Sequence, residues 1–266
     1  MQNYPCAYYR IFNKNTMLFE DLSLSKSIQR AVFEEGYTNA TPIQEQSIPL
    51  ILSGKDLIGC AQTGTGKTAA FAIPIIHQLH RIVGSSKKAK EIRALIVTPT
   101  RELAIQIAES FNAYGRHTPL NCTVIFGGVA QGPQVTALRN GVDVVIATPG
   151  RLLDLMNQGH ISLRDVEIFV LDEADRMLDM GFVNDMRFVA GLLPKDRQTL
   201  FFSATLSATI EKLIGEFLNE PVRISVKTQD TSKNVDQDIV RVTAGNKLEV
   251  LHDLLNKEEF TKVLIF

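Results

Sequence analysis

The stretch DLIGCAQTGTGKT, residues 56–68, decides the fold and suggests the first chemistry. Its first part, Asp56 to Cys60, is a short apolar run typical of a buried strand, and a helix is predicted to begin near Gly66. Glycines between the strand and the helix permit a tight loop. The free backbone N–H groups and the dipole of the helix favour phosphate oxygens there. This order predicts an α/β domain with a phosphate-binding loop.

The loop has the residue types of a nucleoside triphosphate site. Lys67 is expected to reach the β and γ phosphates, and the Thr68 hydroxyl is expected to bind Mg²⁺. The open alternative is a Gly/Thr-rich turn that binds nothing. The predicted nucleotide-binding residues are Ala61, Gln62, Thr63, Gly64, Thr65, Gly66, Lys67 and Thr68.

An acidic tetrad, Asp172-Glu173-Ala174-Asp175, follows the apolar run Ile168–Leu171. Such a run fits a strand buried on both faces, which delivers the carboxylates to its end. Asp172 is expected to hold Mg²⁺, and Glu173 to orient or deprotonate an attacking water. An exposed acidic turn is the alternative. With Lys67, these two carboxylates form the predicted catalytic set, so the two motifs together predict triphosphate cleavage.

Several apolar runs alternate with helix-like segments, which indicates βαβ units and a mainly parallel sheet. Each run is followed by a polar, turn-prone cluster. In open α/β sheets ligands bind at the carboxyl ends of the strands, so these clusters are expected to form one functional edge. They begin at Ala61, Thr98, Gly127, Thr148, Asp172 and Ser203.

The amino-acid composition limits the classes of protein to which this chain can belong. The 266 residues are 45% hydrophobic and 21% charged, as in a soluble globular protein. The net charge of −1 means that any contact with nucleic acid depends on a local patch. Three widely spaced cysteines show no metal pattern and predict a reducing, cytoplasmic compartment. No run of about 18 apolar residues is present to span a membrane.

Taken in order along the chain, the motifs resemble those of the DEAD-box RNA helicases, most closely the bacterial branch, over roughly residues 19–266. The matching segments are Thr41–Gln44, Ala61–Thr68, Pro99–Ala104, Gly127–Gly128, Thr148–Arg151, Asp172–Asp175 and Ser203–Thr205. Ala61 replaces the glycine of the strict phosphate-loop pattern, a variant associated with helicase-type loops. The resemblance implies a RecA-like domain with helices on both faces of its sheet. It also implies ATP and Mg²⁺ as cofactors and RNA as partner.

The resemblance also implies a domain organisation. Residues 1–18 are an N-terminal extension, and residues 19–226 are the ATP-binding domain, with an adenine-recognising segment at 19–44. Residues 227–234 are a polar linker. Residues 235–266 start a second RecA-like domain, with strands expected near 238–242 and 263–266 and a helix between them. This second domain is expected to be truncated.

For the adenine side, the resemblance implies that the Gln44 amide recognises the base and that Phe19 stacks on it, with Tyr37 nearby. A solvated helix glutamine and a core phenylalanine are the alternatives. Ser203 and Thr205 are expected to hydrogen-bond toward Asp175 and so to couple nucleotide state to RNA. The alternative is simple capping of the next helix by a hydroxyl.

For the RNA side, the implied contacts are sequence-independent, because hydroxyls, arginines and helix N-termini bind phosphates without distinguishing bases. Arg101 pairing with Glu102 or Glu109 is the alternative for that residue. The predicted RNA-binding residues are Pro99, Thr100, Arg101, Gly128, Thr148, Pro149, Gly150 and Arg151.

Three functions remain open from the sequence. The first is an ATP-dependent RNA helicase, in which the full-length protein couples ATP hydrolysis to local unwinding or remodelling of an RNA duplex and this chain alone binds nucleotide but does not unwind. The second is an ATP-gated RNA clamp that unwinds little. The third is a P-loop kinase or metabolic ATPase, which the Gln44 segment and the Thr148–Arg151 loop disfavour.

Overall fold

A computed structural model of the chain describes residues 17–83, 91–226, 238–242, 246–257 and 262–265. The chain divides into two compact units, Met1–Thr228 and Gln229–Phe266. A 3₁₀ turn at Phe19–Asp21 opens the described part. The elements that follow are α1 (Lys26–Glu34), α2 (Pro42–Leu52), β1 (Leu57–Cys60), α3 (Lys67–Val83), β2 (Ala94–Val97), α4 (Arg101–Gly115), β3 (Cys122–Ile125), α5 (Gly132–Arg139), β4 (Val144–Ala147), α6 (Pro149–Asn157), β5 (Ile168–Leu171), α7 (Ala174–Asp179), α8 (Val183–Leu192), β6 (Gln198–Ser203), α9 (Ala208–Phe217), β7 (Val222–Ser225) and α10 (Lys247–Leu255).

The strands form a seven-stranded sheet in the order β3-β4-β2-β5-β6-β1-β7, and every described pairing is parallel. β2, β4 and β5 are buried along their whole length, as continuous apolar runs covered on both faces should be. The edge strands β3 and β7 are only partly buried. The predicted α/β fold with a mainly parallel sheet is confirmed.

The helices form two layers because the chain crosses the sheet in two directions. From β1 to β2 and on to β3 it steps toward one edge, through α3 and α4. From β3 to β7 it steps back, through α5 to α9. Parallel crossovers are almost always right-handed, so opposite directions place helices on opposite faces. Buried residues of α1–α4 accordingly join one apolar cluster, and those of α5–α9 join another.

Side chains alternate between these two clusters along each central strand. In β6, Phe202 packs with the α1–α4 cluster and Phe201 with the α5–α9 cluster. Gly59 of β1 lies so close to the Phe202 ring that a Cβ there would clash with it. This close approach keeps the strand that precedes the phosphate loop in register with β6, where Cys60 lies opposite Ser203.

The second unit, Gln229–Phe266, contains α10, whose first turn is capped by the Asn246 side chain at 3.0 Å from the Leu248 N–H. The strands expected near 238–242 and 263–266 are not formed in the parts that are described, 238–242 and 263–265. Sequence pattern alone predicts a strand where apolar residues cluster, but a strand also requires a hydrogen-bonded neighbour. The predicted linker 227–234 and most of the predicted N-terminal extension lie outside the described residues.

Candidate nucleotide and RNA site

The phosphate loop connects β1 to α3 at the carboxyl edge of the sheet. Gly64 and Gly66 have φ angles of 83° and 93°, which side chains rarely adopt, so the loop turns where only glycine is unstrained. The Thr65 hydroxyl donates to the Gln62 carbonyl at 2.7 Å and closes the turn. Ala61 is buried and its N–H donates to the Ser203 carbonyl at 3.1 Å. The loop is therefore fixed to β6 at one end and to α3 at the other.

Lys67 is the first residue of α3, and its side chain is only 7% exposed. Its Nζ atom is buried and has no hydrogen-bond partner among the residues that the structure describes. A buried ammonium without an acceptor is unfavourable unless a ligand supplies one. Triphosphate oxygens at the N-terminus of α3 fit that requirement, and Thr68 follows in the same turn.

Asp172 follows β5 directly and is 4% exposed. Burial raises the pKa of Asp172 to about 6, and the positive charge of Lys67 acts in the opposite direction. The nearby carboxylates of Glu173 and Asp175 raise this pKa further, whereas the Glu173 N–H, donated to Asp172 Oδ1 at 3.1 Å, lowers it. Mg²⁺ beside nucleotide phosphates usually takes one or two carboxylates, which the position of Asp172 would allow; the expected role of Asp172 in holding Mg²⁺ stays a prediction.

Glu173 adopts φ 54° and ψ 48°, a left-handed conformation that is uncommon for a residue with a side chain. The turn directs the chain from β5 into α7, and the Glu173 carboxylate lies 3.4 Å from the Arg176 guanidinium. Strained backbone of this kind is concentrated at functional sites. The expected role of Glu173 as base stays a prediction.

Asp175 is the contact between the acidic tetrad and the loop after β6. Its Oδ2 atom accepts from the Ala204 N–H at 3.1 Å, the Thr205 N–H at 2.9 Å and the Thr205 hydroxyl at 3.1 Å. The expected bond from Ser203 to Asp175 is not formed. The buried Ser203 hydroxyl donates instead to the Thr205 carbonyl at 2.8 Å, which lies nearer along the loop.

Gln44 lies in the first turn of α2 and is 4% exposed. Its Oε1 accepts from the Thr41 N–H at 2.9 Å, and its Nε2 donates to the Gly66 carbonyl at 3.2 Å. It therefore touches the phosphate loop, which the sequence did not indicate. A primary amide has two N–H donors and two acceptor positions, so one donor and one acceptor position are not used by these two bonds; the expected contact with adenine stays a prediction.

We expect Gln44→Ala to weaken ATP binding and to leave GTP binding nearly as poor as before, because only adenine matches the remaining donor and acceptor. Losing one bidentate base contact should cost roughly 1–3 kcal/mol. Titration with fluorescent ATP and GTP analogues measures both constants. Gln46→Ala, an exposed change on the same helix, is the control. Equal losses for the two nucleotides would mean that Gln44 only supports the loop at Gly66.

The aromatic residues of the adenine segment pack on one another. Phe19 is 4% exposed and lies in the core, stacked on Tyr37 with ring centroids 6.1 Å apart. Tyr37 is 40% exposed, and its hydroxyl lies 3.3 Å from that of Tyr114 in α4. The structure therefore places Phe19 in the core, which was the alternative to its stacking on adenine. Its stacking on a base stays a prediction.

The predicted RNA-binding residues lie at the starts of α4 and α6 and in the loop after β3. Thr100 caps α4 by accepting from the Leu103 N–H at 3.4 Å, and Thr148 precedes the first turn of α6. Arg101 is exposed and pairs with Glu102 at 3.2 Å, so the surface pair that was the alternative for this residue is present, and its contact with RNA stays a prediction. Pro99 and Pro149 are buried, whereas Gly128 and Gly150 are exposed. Two helix N-termini with exposed backbone suit phosphate contacts.

Two further polar residues contact the segment that follows β3, and no motif in the sequence indicated them. Gln134 is buried and bonds both backbone groups of Phe126, at 3.3 Å to the N–H and 3.1 Å to the carbonyl. Gln158 forms a reciprocal amide pair with Gln131, at 3.0 and 3.2 Å. An isolated glutamine has no sequence signature, so only the folded contacts identify these two.

In the described ranges, no group of three or more His, Cys, Asp or Glu side chains is arranged to hold a metal ion. Mg²⁺ usually takes one or two carboxylates and completes its shell with waters and phosphates, so Asp172 with Thr68 fits magnesium beside a nucleotide. None of the described helices is both long enough and apolar enough to cross a bilayer.

Comparison with known sequences agrees with this geometry. The family model described as DEAD/DEAH box helicase matches residues 41–213. The DEAD-box ATP-dependent RNA helicase CshA of Bacillus subtilis is 40% identical over 252 residues, covering 94% of this chain and 50% of that protein. The ATP-dependent RNA helicase RhlB of Shewanella amazonensis is 39% identical, with 93% and 57% covered. The chain spans about half the length of the curated relatives it matches.

Two solved structures are similar. A DEAD box protein from Methanococcus jannaschii matches with a TM-score of 0.73 and 38% identity, covering 92% of this chain and 64% of that one. A hypothetical ATP-dependent RNA helicase from Sulfolobus tokodaii matches with a TM-score of 0.69 and 38% identity, covering 76% and 57%. The expected RecA-like fold is thereby confirmed.

Proposed function

Because this chain belongs to the DEAD/DEAH box helicase family, we propose that it forms the nucleotide-binding part of an ATP-dependent RNA helicase. It binds ATP with Mg²⁺, contacts RNA through the phosphate backbone, and supports local duplex opening coupled to ATP hydrolysis. The observation that supports this most directly is the buried, unpartnered Nζ of Lys67 at the start of α3, within the described residues.

In this proposal, each functional residue at the carboxyl edge of the sheet has one role. Lys67 and the loop N–H groups bind the phosphates, and Gln44 selects adenine. Glu173 orients the attacking water and accepts its proton. Thr68 and Asp172 hold Mg²⁺, which when bound neutralises charge on the phosphates. Asp175, through Thr205, links the acidic tetrad to the loop after β6.

The proposal extends to organisation and location. Residues 19–226 form the ATP-binding domain, the linker is 227–234, and residues 235–266 start a second RecA-like domain. A cytoplasmic location is proposed from the absence of a disulfide pattern, and Cys60 and Cys122 are free thiols. RNA contact relies on Thr100, Arg101, Gly128, Thr148 and Gly150, which offer hydroxyl, guanidinium and backbone groups rather than base-specific ones.

We expect the 266-residue chain to bind adenine nucleotides weakly and to show little RNA-stimulated ATP turnover and no unwinding. An arginine supplied from a second domain is worth about 10³–10⁵ in rate for phosphoryl transfer. The described part of residues 229–266 contributes only α10 as a regular element. Steady-state ATPase with and without single-stranded RNA, together with a strand-displacement assay, measures these properties.

The outcomes of that assay separate the candidate functions. Robust stimulation of ATP turnover by RNA would mean that the chain supplies its own catalytic arginine or assembles to provide one. That result would contradict the expectation that a second domain supplies the arginine. Failure to bind ATP would remove the proposal altogether. RNA retention in the presence of ATP without unwinding, in the longest form of the protein, would favour the clamp.

A further inference from the structure

The loop after β3, residues 126–131, contains two exposed glycines at the RNA edge and is held at both of its ends. Gly128 has φ +79°, and a Cβ added there would meet nothing within 4 Å, so glycine is needed for its backbone conformation rather than for lack of space. Gln134 bonds both backbone groups of Phe126 at the start of the loop. We call residues 126–131 the glycine loop.

Arg151 holds the middle of the glycine loop. One Nη atom donates to the Val129 carbonyl at 3.0 Å, and Nε lies 3.6 Å from Asp154 one turn further along α6. The other Nη atom is buried and has no hydrogen-bond partner in the described part of the chain. The side chain is 11% exposed. The guanidinium therefore faces the protein, in contrast to the half-exposed side chain of Arg101.

Gln158 holds the end of the glycine loop from the same helix. Its amide pairs reciprocally with that of Gln131 and donates to Asp154 at 2.8 Å. Asp154 is thus shared by Arg151 and Gln158. The three side chains form one network along α6 and its C-terminal cap, which contacts the glycine loop at the Val129 carbonyl and at the Gln131 side chain.

We propose that Arg151 is a positioning residue, which acts on RNA by holding the glycine loop in its binding conformation and not by binding a phosphate. The inference rests on the proposed RNA binding and revises the expectation that Arg151 contacts RNA. Its basis is geometric. Two of the three guanidinium nitrogens are engaged within the protein, one with the Val129 carbonyl and one beside Asp154. The third is buried without a partner in the described part of the chain, as Lys67 Nζ is, so it is the one atom that a phosphate could still reach, and the experiment below tests that alternative. A loop that is already ordered loses less entropy when it binds, so loosening it weakens binding without removing a phosphate contact.

The salt dependence of RNA binding distinguishes the two roles. For single strands, the slope of log K against log salt falls by about 0.7 for each phosphate contact that is lost. We would measure fluorescence anisotropy of a labelled single-stranded RNA with the 266-residue chain and an ATP analogue, over a series of salt concentrations. The variants are Arg151→Ala, Arg151→Lys, the uncharged change Gln158→Ala, and Arg101→Ala as the phosphate-contact control.

We expect Arg151→Ala, Arg151→Lys and Gln158→Ala each to weaken RNA binding roughly three- to tenfold with the wild-type salt slope, as loss of loop order predicts. Arg101→Ala should lower the slope by about 0.7. The Arg151→Ala/Gln158→Ala double variant should lose less than the two single losses combined, because both act on one loop. ATP affinity and melting temperature should remain those of the wild type, which a general folding defect would change.

Several results would overturn the inference. A lowered slope for Arg151→Ala with full affinity in Arg151→Lys would make Arg151 a phosphate ligand. Wild-type affinity in Gln158→Ala would mean that the network does not control the loop. Parallel losses of ATP affinity and melting temperature would indicate a structural residue only. If the wild-type chain bound ATP but no RNA even at low salt, the proposed RNA function would be wrong. The inference rests on that function and would then be wrong as well.

Discussion

Lys67→Ala should abolish measurable ATP binding while the chain stays folded. Lys67 places a buried ammonium where the triphosphate is expected, and no other described residue satisfies its Nζ atom. Removing one partner of a buried charge pair costs roughly 2–5 kcal/mol. The glycines of the loop remain, so the backbone cradle alone is left to hold the phosphates. Isothermal titration calorimetry with ATP and Mg²⁺ measures the loss.

The control for this change is Lys26→Ala, which removes an exposed lysine of α1 and leaves the net charge equal to that of Lys67→Ala. Circular dichroism without nucleotide should show both variants folded, because Lys67 Nζ makes no hydrogen bond in the part of the chain that the structure describes. An ATP dissociation constant unchanged in Lys67→Ala would contradict the phosphate-loop assignment.

In the longest form of the protein, Glu173→Gln should keep ATP bound and slow hydrolysis by about 10²–10⁴, the usual contribution of a positioned general base. The amide has nearly the same shape as the carboxylate but cannot take a proton. Ground-state binding survives, and only the transition state loses stabilisation. The left-handed backbone conformation at Glu173 should not change, since glutamate and glutamine side chains are equally unfavourable in that conformation. Single-turnover hydrolysis of bound ATP measures the rate.

Glu109→Gln is the matched control, because it makes the same chemical change at an exposed position of α4. Its hydrolysis rate should equal that of the unchanged chain. Calorimetry should give the same ATP affinity for both variants and the wild type. Turnover by Glu173→Gln at the wild-type rate would reduce Glu173 to a structural turn residue.

Much of the fold could be predicted because its signals are local. The runs Ala94–Val97 and Ile168–Leu171 are wholly apolar and bounded by turn residues, and both are strands as expected. Buried parallel strands need apolar residues on both faces, so composition alone identifies them. The segments 238–242 and 263–265 are also rich in apolar residues but are not strands here. Strand pairing is a property of two segments, which a single run does not contain.

Some residues of the candidate site could likewise be predicted from the sequence, whereas others could not. Lys67, Thr68 and Asp172 lie beside fixed local geometry, a glycine turn and a strand end, so spacing along the chain was enough to propose them as site residues, and their roles stay predictions. Gln134 and Gln158 were missed, since their roles depend on Phe126 and Gln131 in another segment. The direction of a long side chain is likewise set by its neighbours. Arg151 and Arg101 look alike in the sequence, yet one is buried and the other exposed.

The sequence by itself determined the order of strands and helices, the phosphate loop and the acidic tetrad, because glycine turns and buried strands are specified by adjacent residues. Only the tertiary structure decided that Ser203 bonds to the Thr205 carbonyl and that Thr205 alone of the two hydroxyls reaches Asp175. It also decided that Gln44 holds Gly66 and that Phe19 packs in the core. Apart from the bond between Ser203 and Thr205, these contacts join residues far apart in the chain, and the packing of two helix layers on one sheet fixes their distances.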